Sequence, residues 1–371
     1  MSAYDDEPGF WSITKADHMT EVSRDYETFS SGRGGVFLLD KAAPMDLQGH
    51  QIISMDPPRH TRLKQLFQRV FTPKMISEQE DHVREIVNQA IDKVAPTGKA
   101  DVVQDIGGPV TARVIGSMLG TAPEMDQQLV DWANEIIAFE DPEFRPDSSL
   151  DYIYETFQEN LAYVVPLIET RRKEPGDDLL SKLAEAEVDG DKLNDVELGS
   201  MFGLLISAGT DSTKSVYTSG MRALMDHPDQ RQLLIDDPSL IPNAVEEVLR
   251  CFPAFSYFRR TVTRDVEFHG QQMHEGDKLA LWYVSSNYDE DVYDDPYEFD
   301  VKRTTAHQAF GAGGRHFCLG AALARLELKV LLEETLRRLP DMERDGEPAR
   351  TRSTFLNQYK RLPVRFTPER A

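Results

Sequence analysis

Helical periodicity over most of the chain, with strand-like alternation confined to short stretches, most constrains what this sequence can fold into. Leu63, Leu66, Phe67 and Val70 recur at a spacing that lines one face of a 3.6-residue repeat. The pattern predicts helix over most of residues 57 to 106 and onward to Glu187, with breaks at Thr97-Gly98, Thr121-Ala122-Pro123 and Glu174-Pro175-Gly176. Asn194-Asp195 can cap a long helix running to about His227, where Pro228 stops it. Another is expected from near Ser239 to before Pro253. The last spans Leu319 to Arg338, with Leu319, Ala322, Leu323, Leu326 and Val330 on one face. Strand signals fall at Phe10–Ile13 (before a short helix from Ala16 to Arg24), at Tyr257–Trp282, where Val262, Val266 and Phe268 alternate, and in residues 339–371. Strands gathered towards the two ends of a helical chain give a mainly α, α+β architecture rather than βαβ alternation. No linker interrupts it, so residues 1–371 are expected to form a single domain.

An apolar content of 40% supports a substantial core. The formal charge of -23, from 41 Lys+Arg against 64 Asp+Glu, repels nucleic acid and anionic lipid and argues against both as partners. No stretch approaches the ~20 apolar residues of a membrane span. The best candidate, Met201 to Ala208, breaks at Gly209-Thr210-Asp211. The first residues lack the basic-then-apolar order of a secretion signal. A cytoplasmic monomer without a membrane anchor is the expectation. Two cysteines, Cys251 and Cys318, make no disulfide framework.

Cys318 stands between a Gly-rich loop, Phe310 to Gly314, and an amphipathic helix. A thiolate there would be favoured by the helix's partial positive charge and free N–H groups, which lower its pKa. Glycines let the backbone approach a flat ligand closely. The ordinary alternative is a core thiol beside a loop. A phosphate loop is a poor alternative, because the segment lacks the Gly-Lys-Ser/Thr ending.

The segment Phe310-Gly-Ala-Gly-Gly-Arg-His-Phe-Cys318-Leu-Gly320 resembles the haem-binding loop of cytochromes P450. Gly314, His316, Cys318 and Gly320 match its register. Phe310 lies one residue farther from the cysteine than in most of the family, as in actinobacterial enzymes that oxidise sterol side chains and branched lipids. Three other segments match in the same order. Asp56-Pro57-Pro58-Arg59-His60-Thr61-Arg62-Leu63-Lys64 resembles the helix that holds a haem propionate, with His60 and Lys64 as ligands and Lys where Arg is commoner. Read alone, it is a helix start with surface charge. Ser207-Ala208-Gly209-Thr210-Asp211-Ser212-Thr213 offends helix propensity and resembles the oxygen-activating motif. Its plain reading is a kinked helix with hydroxyls bonded back to carbonyls. Glu247 and Arg250, one helical turn apart, resemble the family's ExxR pair, with Arg303 as third member of a buried network.

The resemblance implies a cytochrome P450 fold, a helical bundle around haem b with small sheets near the two ends. It implies Cys318 as axial iron ligand, its thiolate pushing electron density onto the iron. It further implies that Arg260 and His316 hold the second propionate. Ala208 and Ser212 would face the haem, Gly209 would leave room for dioxygen, and Asp211 would relay protons from solvent. Ser212 keeps the hydroxyl of the usual Thr but not the methyl that fixes its rotamer, so looser coupling of electrons to product is expected. The reaction would insert one oxygen atom into a C–H bond of an apolar small molecule, a sterol, terpenoid or fatty acid. Electrons would come from a ferredoxin or flavin-type donor docking near Arg62, Arg69, Arg315 and Arg325. Substrate contacts are expected from the loop Val36 to Ile53, including Phe37, and from Leu205, Ala254, Phe255, Phe258, Phe355 and Leu356; each aromatic could equally be core. The family's N-terminal helix has no counterpart before the first strand. A peroxide-driven peroxygenase or a non-catalytic haem sensor would use the same fold. The first usually replaces the acid–alcohol pair kept here at Asp211-Ser212, and the second needs only Cys318 and the propionate contacts.

Overall fold

The computed structural model describes residues 9–40, 48–145, 150–188, 190–304 and 306–369. A 32-residue helix, Asp195–Asp226, forms the axis of the fold. Asn194 starts it: the side chain accepts from the Glu197 N–H at 2.9 Å, and the Glu197 carboxylate accepts from the Asn194 N–H at 3.2 Å. This reciprocal box satisfies two end donors. Helices Gly108–Leu119, Asp126–Ile137, Leu150–Lys173 and Ala321–Arg338 pack around the axis. Ile206, Val216, Tyr217, Met221 and Leu224 are buried at its successive turns, as befits an interior helix apolar on more than one face.

The main sheet joins segments far apart in the chain. Phe10–Ile13 runs parallel to Lys278–Trp282, which pairs antiparallel with Tyr257–Val262, and Phe29–Ser30 closes the far edge. A second sheet sets Pro363–Arg365 between Glu343–Arg344 and Lys99–Asp101. The strand Lys99–Asp101 follows the expected break at Thr97-Gly98 and has no counterpart in the helical reading of residues 57–106. Its partner lies near the other end of the chain, so local periodicity could not show it. After it comes a π-helical turn, Val102–Gly107.

The long helix ends at Asp226, just before Pro228 as expected, while two further details go beyond the sequence reading. Pro228 does not simply end a helix. It opens the next one, Pro228–Asp236, because a proline at a first-turn position gives up no hydrogen bond. On Ala321–Arg338 the buried side includes Ala321, Leu323, Leu328, Val330 and Leu331, while Ala322 is exposed. Several helices contact this one, so its buried arc is wider than a single stripe. Among the described residues no helix is long and apolar enough to cross a membrane.

Candidate active site

The loop before Ala321–Arg338 turns on glycines. Gly311, Gly313 and Gly314 all have positive φ. At Gly314 an added Cβ would lie 2.2 Å from the Ser23 carbonyl oxygen, so only glycine lets this loop rest on the end of helix Ala16–Arg24. The Cys318 N–H donates to the Phe310 carbonyl at 2.9 Å. An added Cβ at Gly320 would stand 3.9 Å from Cys318 Sγ, beside the sulfur. The regular helix begins three residues after the cysteine. Burial pushes the Cys318 thiol up, against smaller opposing pulls from the Gly320 and Ala321 N–H groups and the Arg325 charge. The expected lowering is therefore reversed in the protein alone, because desolvation outweighs the helix end. Cys318 nonetheless has exposed surface. The two observations agree if that surface opens into a recess within the molecule rather than onto bulk water. Ala208 is likewise exposed, in the middle of the otherwise interior helix.

A cationic cluster adjoins the loop. His60 and Arg260 are 2% and 6% exposed, and the His60 and His316 rings lie 4.3 Å apart. Arg260 Nη1 donates to the Arg259 carbonyl at 2.7 Å, and no ion pair of Arg260 with a carboxylate occurs among the described residues. His60 Nδ1 and His316 Nε2 are buried without hydrogen-bond partners. Lys64 Nζ donates to the Arg315 carbonyl. Burial, then the Lys64 and Arg315 charges, push His60 down to about 4, and burial lowers Arg260 and His316 too. A buried guanidinium without a paired carboxylate is costly, and the lowered imidazoles offer neutral rings whose free nitrogens need partners. The donor set suits an anionic ligand.

Glu247, Arg250 and Arg303 come together as the spacing suggested. Arg250 binds both Glu247 oxygens, at 2.7 and 2.8 Å, and Arg303 Nε reaches Glu247 at 3.3 Å. Arg250 also donates to the Asn287, Pro296 and Glu298 carbonyls. It thus ties helix Ile241–Cys251 to the segment that leads towards the cysteine loop.

Two residues of the central helix have close neighbours that the sequence did not show. Gly209 faces Ile115, whose Cγ1 would be 3.0 Å from an added Cβ. Its lack of a side chain lets helix Gly108–Leu119 approach closely there. Asp211 is fully buried and paired with Lys214, with Oδ2 unpartnered; it does not face solvent. Ser212 Oγ donates to the Ala208 carbonyl at 2.5 Å, the back-bonding of the plain reading, in a helix that stays continuous.

The aromatic residues singled out in the sequence gather around Phe355. Phe37, Phe255 and Phe258 have ring centroids 4.7, 5.0 and 5.4 Å from it. Phe37, Ala254, Phe355 and Leu356 are buried, so much of their surface serves as core. Phe255, Phe258 and Leu205 are half-buried. Residues 41–47 of the loop Val36 to Ile53 lie outside the described residues. So does the Arg69 side chain. Of the other cations assigned to a docking patch, Arg62 is 3.2 Å from Glu197 and Arg325 binds both Glu246 oxygens at 2.6 and 2.8 Å. These carboxylates neutralise two of the expected charges. Arg315 is exposed, stacked 4.5 Å over the Tyr26 ring. The sequence reading missed Lys214, Glu246 and His307. The only signal was the i, i+3 spacing of Asp211 and Lys214, which is common on any helix.

The family model for cytochrome P450 matches residues 7–362. The chain belongs to the cytochrome P450 family. It is 38% identical to the methyl-branched lipid omega-hydroxylase of Mycobacterium tuberculosis over 97% of this chain and 84% of that one. It is 33% identical to the steroid C26-monooxygenase of Mycobacterium bovis, over 97% and 83%. In structure it is similar to a Mycobacterium marinum cytochrome P450 in complex with pseudoionone, with a TM-score of 0.91 and 34% identity over 98% of this chain and 88% of that one. A Bacillus megaterium P450 in complex with testosterone matches with a TM-score of 0.84 and 30% identity over 96% and 93%. The fold is thus the helical P450 fold with small sheets, the cofactor of the family is haem b, and the chain is a P450 monooxygenase. P450 monooxygenases draw electrons from a redox partner. The residues fit the cofactor. Buried Arg260 and the unpartnered nitrogens of His60 and His316 would meet propionates, and Cys318 offers a sulfur on a residue with exposed surface.

Proposed function

We propose that this P450 places one oxygen atom into a C–H bond of an apolar small molecule of the sterol, terpenoid or fatty acid class. The substrate class draws on the relatives named for branched lipids and steroids and on the half-buried aromatic edge at Phe255 and Phe258. Buried Arg260, with no ion-paired carboxylate among the described residues, and the unpartnered ring nitrogens of His60 and His316 carry the reading. In it, His60, Lys64, Arg260 and His316 hold the propionates, Cys318 ligates iron, and Phe310, Gly314 and Gly320 shape the loop around the sulfur. Haem, when bound, supplies dioxygen activation. Ala208 borders the reacting centre, the Ser212 hydroxyl holds a proton there, and Asp211 replenishes it. Glu247, Arg250 and Arg303 fix the loop rather than act in the reaction. A ferredoxin or flavin-type protein supplies two electrons, docking on a face where Arg315 is exposed and has no paired carboxylate among the described residues. We further propose a single domain acting as a cytoplasmic monomer.

The test is the reduced, CO-bound spectrum. The parent protein should show the strongly red-shifted Soret band of thiolate ligation, and Cys318→Ser should lose it. A parent without that band, or a variant that keeps it, would overturn the assignment. A screen of apolar ligands for spin-state change then ranks substrates, with sterols, terpenoids and fatty acids expected to outrank polar molecules.

A further inference from the structure

Beside the central helix lies a cleft of about 310 Å³, at the lower end of the sizes that hold small ligands. None of the residues assigned above to haem or substrate lines it. Pro109, Val130 and Phe144 give it half-buried apolar walls, and Asn134, Lys214 and Gln358 give it a buried polar floor. The acceptors of that floor are spent. Asn134 Oδ1 accepts from Lys214 Nζ at 3.3 Å, and Gln358 Oε1 accepts from Ser215 Oγ at 3.0 Å. What remains is N–H. Gln358 Nε2 is buried without a partner among the described residues. Asn134 keeps its amide hydrogens, and Lys214 has a third proton after serving Asp211 and Asn134. A buried donor left unsatisfied is costly, so the floor calls for an acceptor oxygen.

Charge decides which kind. Lys214 is neutralised by Asp211, Lys360 by Asp141 and Glu143 at 3.0 and 2.9 Å, and Asp126 by Arg113 at 2.9 Å. At the rim, exposed Lys93 and Glu124 cancel. With no net charge to meet it, a carboxylate would cost more to bury here than an uncharged carbonyl. We propose that this cleft is a second small-molecule site, which takes a compact apolar ligand with an uncharged carbonyl oxygen, a ketone or lactone. The oxygen accepts from Gln358 Nε2 and Lys214 Nζ, and the carbon body lies against Val130 and Phe144. The site goes beyond the oxygenase reading and stands independently of the substrate assigned there.

Benzophenone, a neutral diaryl ketone that bonds to adjacent C–H groups on irradiation, tests this in the haem-loaded enzyme without turnover. Peptide mapping should find label at Val130 or Phe144, apart from any label at Phe255 and Phe258 on the substrate side. Excess acetophenone should cut the cleft label several-fold. Ethylbenzene, which lacks the oxygen, and benzoate, which carries a charge, should leave most of it. Gln358→Met should lower the cleft label several-fold and leave the substrate-side label unchanged. Label confined to Phe255 and Phe258, or a parent-like cleft label in Gln358→Met, overturns the proposal. So does displacement by ethylbenzene or benzoate as strong as by acetophenone. If Gln358→Met does not fold, Val130→Trp fills the cleft from its wall. A several-fold loss of label at Phe144 then supports the site, and a parent-like label there refutes it.

Discussion

At the scale of single residues, the site is set by charges whose partners decide their worth. Arg260 is buried beside two imidazoles that each have one unpartnered ring nitrogen, and it has no ion pair with a carboxylate among the described residues. Replacing an uncompensated buried cation by a similar apolar group removes a desolvation penalty. Arg260→Met should therefore raise the melting temperature of haem-free protein while weakening haem retention; retention equal to the parent would contradict the assigned role. Glu246 is the opposite case. Burial acts to raise its pKa, but hydrogen bonds and charges from Arg325 and His307 prevail and hold it at about 2, below the usual 4.5. A depressed carboxylate contributes stability above its unfolded pKa and loses it as pH falls through the folded value. The stability advantage of the parent over Glu246→Gln should be constant above pH 4.5 and shrink towards pH 2. Urea unfolding across that range measures it, and a difference independent of pH would refute the coupling.

At the scale of elements, the cysteine loop is held from two sides. The Glu247–Arg250–Arg303 network anchors the segment before it, and Gly314 rests on the Ser23 carbonyl. Gly314→Ala meets both an unfavourable φ of +74° and a backbone collision, and backbone cannot yield as a side-chain tip can. The expected result is faster haem loss during gel filtration with far-ultraviolet dichroism nearly unchanged. Retention equal to the parent would show that the loop has another resting place. The central helix carries opposite demands along its length. Capping at Asn194 and burial at both ends hold it rigid, while Gly209 meets Ile115 closely and Ser212 bonds back to Ala208.

At the scale of the whole molecule, the cofactor and the fold are linked. A ligand that binds only the folded state stabilises it by mass action. Here it would also neutralise the internal cations. Haem extraction should lower the thermal midpoint, and added haem should restore it. The restoration should be weaker in Arg260→Met than in the parent. A midpoint unaffected by haem would mean that the cationic cluster binds something else.

The sequence by itself determined the helical character, the capped central helix, and the four motifs in order, because periodicity, caps and motif spacing are local. It also placed Glu247 and Arg250 as partners, since one helical turn separates them. Tertiary structure decided what depends on neighbours distant in the chain. The strand Lys99–Asp101 exists by pairing with Pro363–Arg365. Gly209 is explained by Ile115, and the docking charges of Arg62 and Arg325 are spent on Glu197 and Glu246. Asp211 was legible as an acid in a motif, but not as one buried against Lys214. A residue type fixes which interactions are available, whereas burial and the nearest opposite charge fix which of them is made.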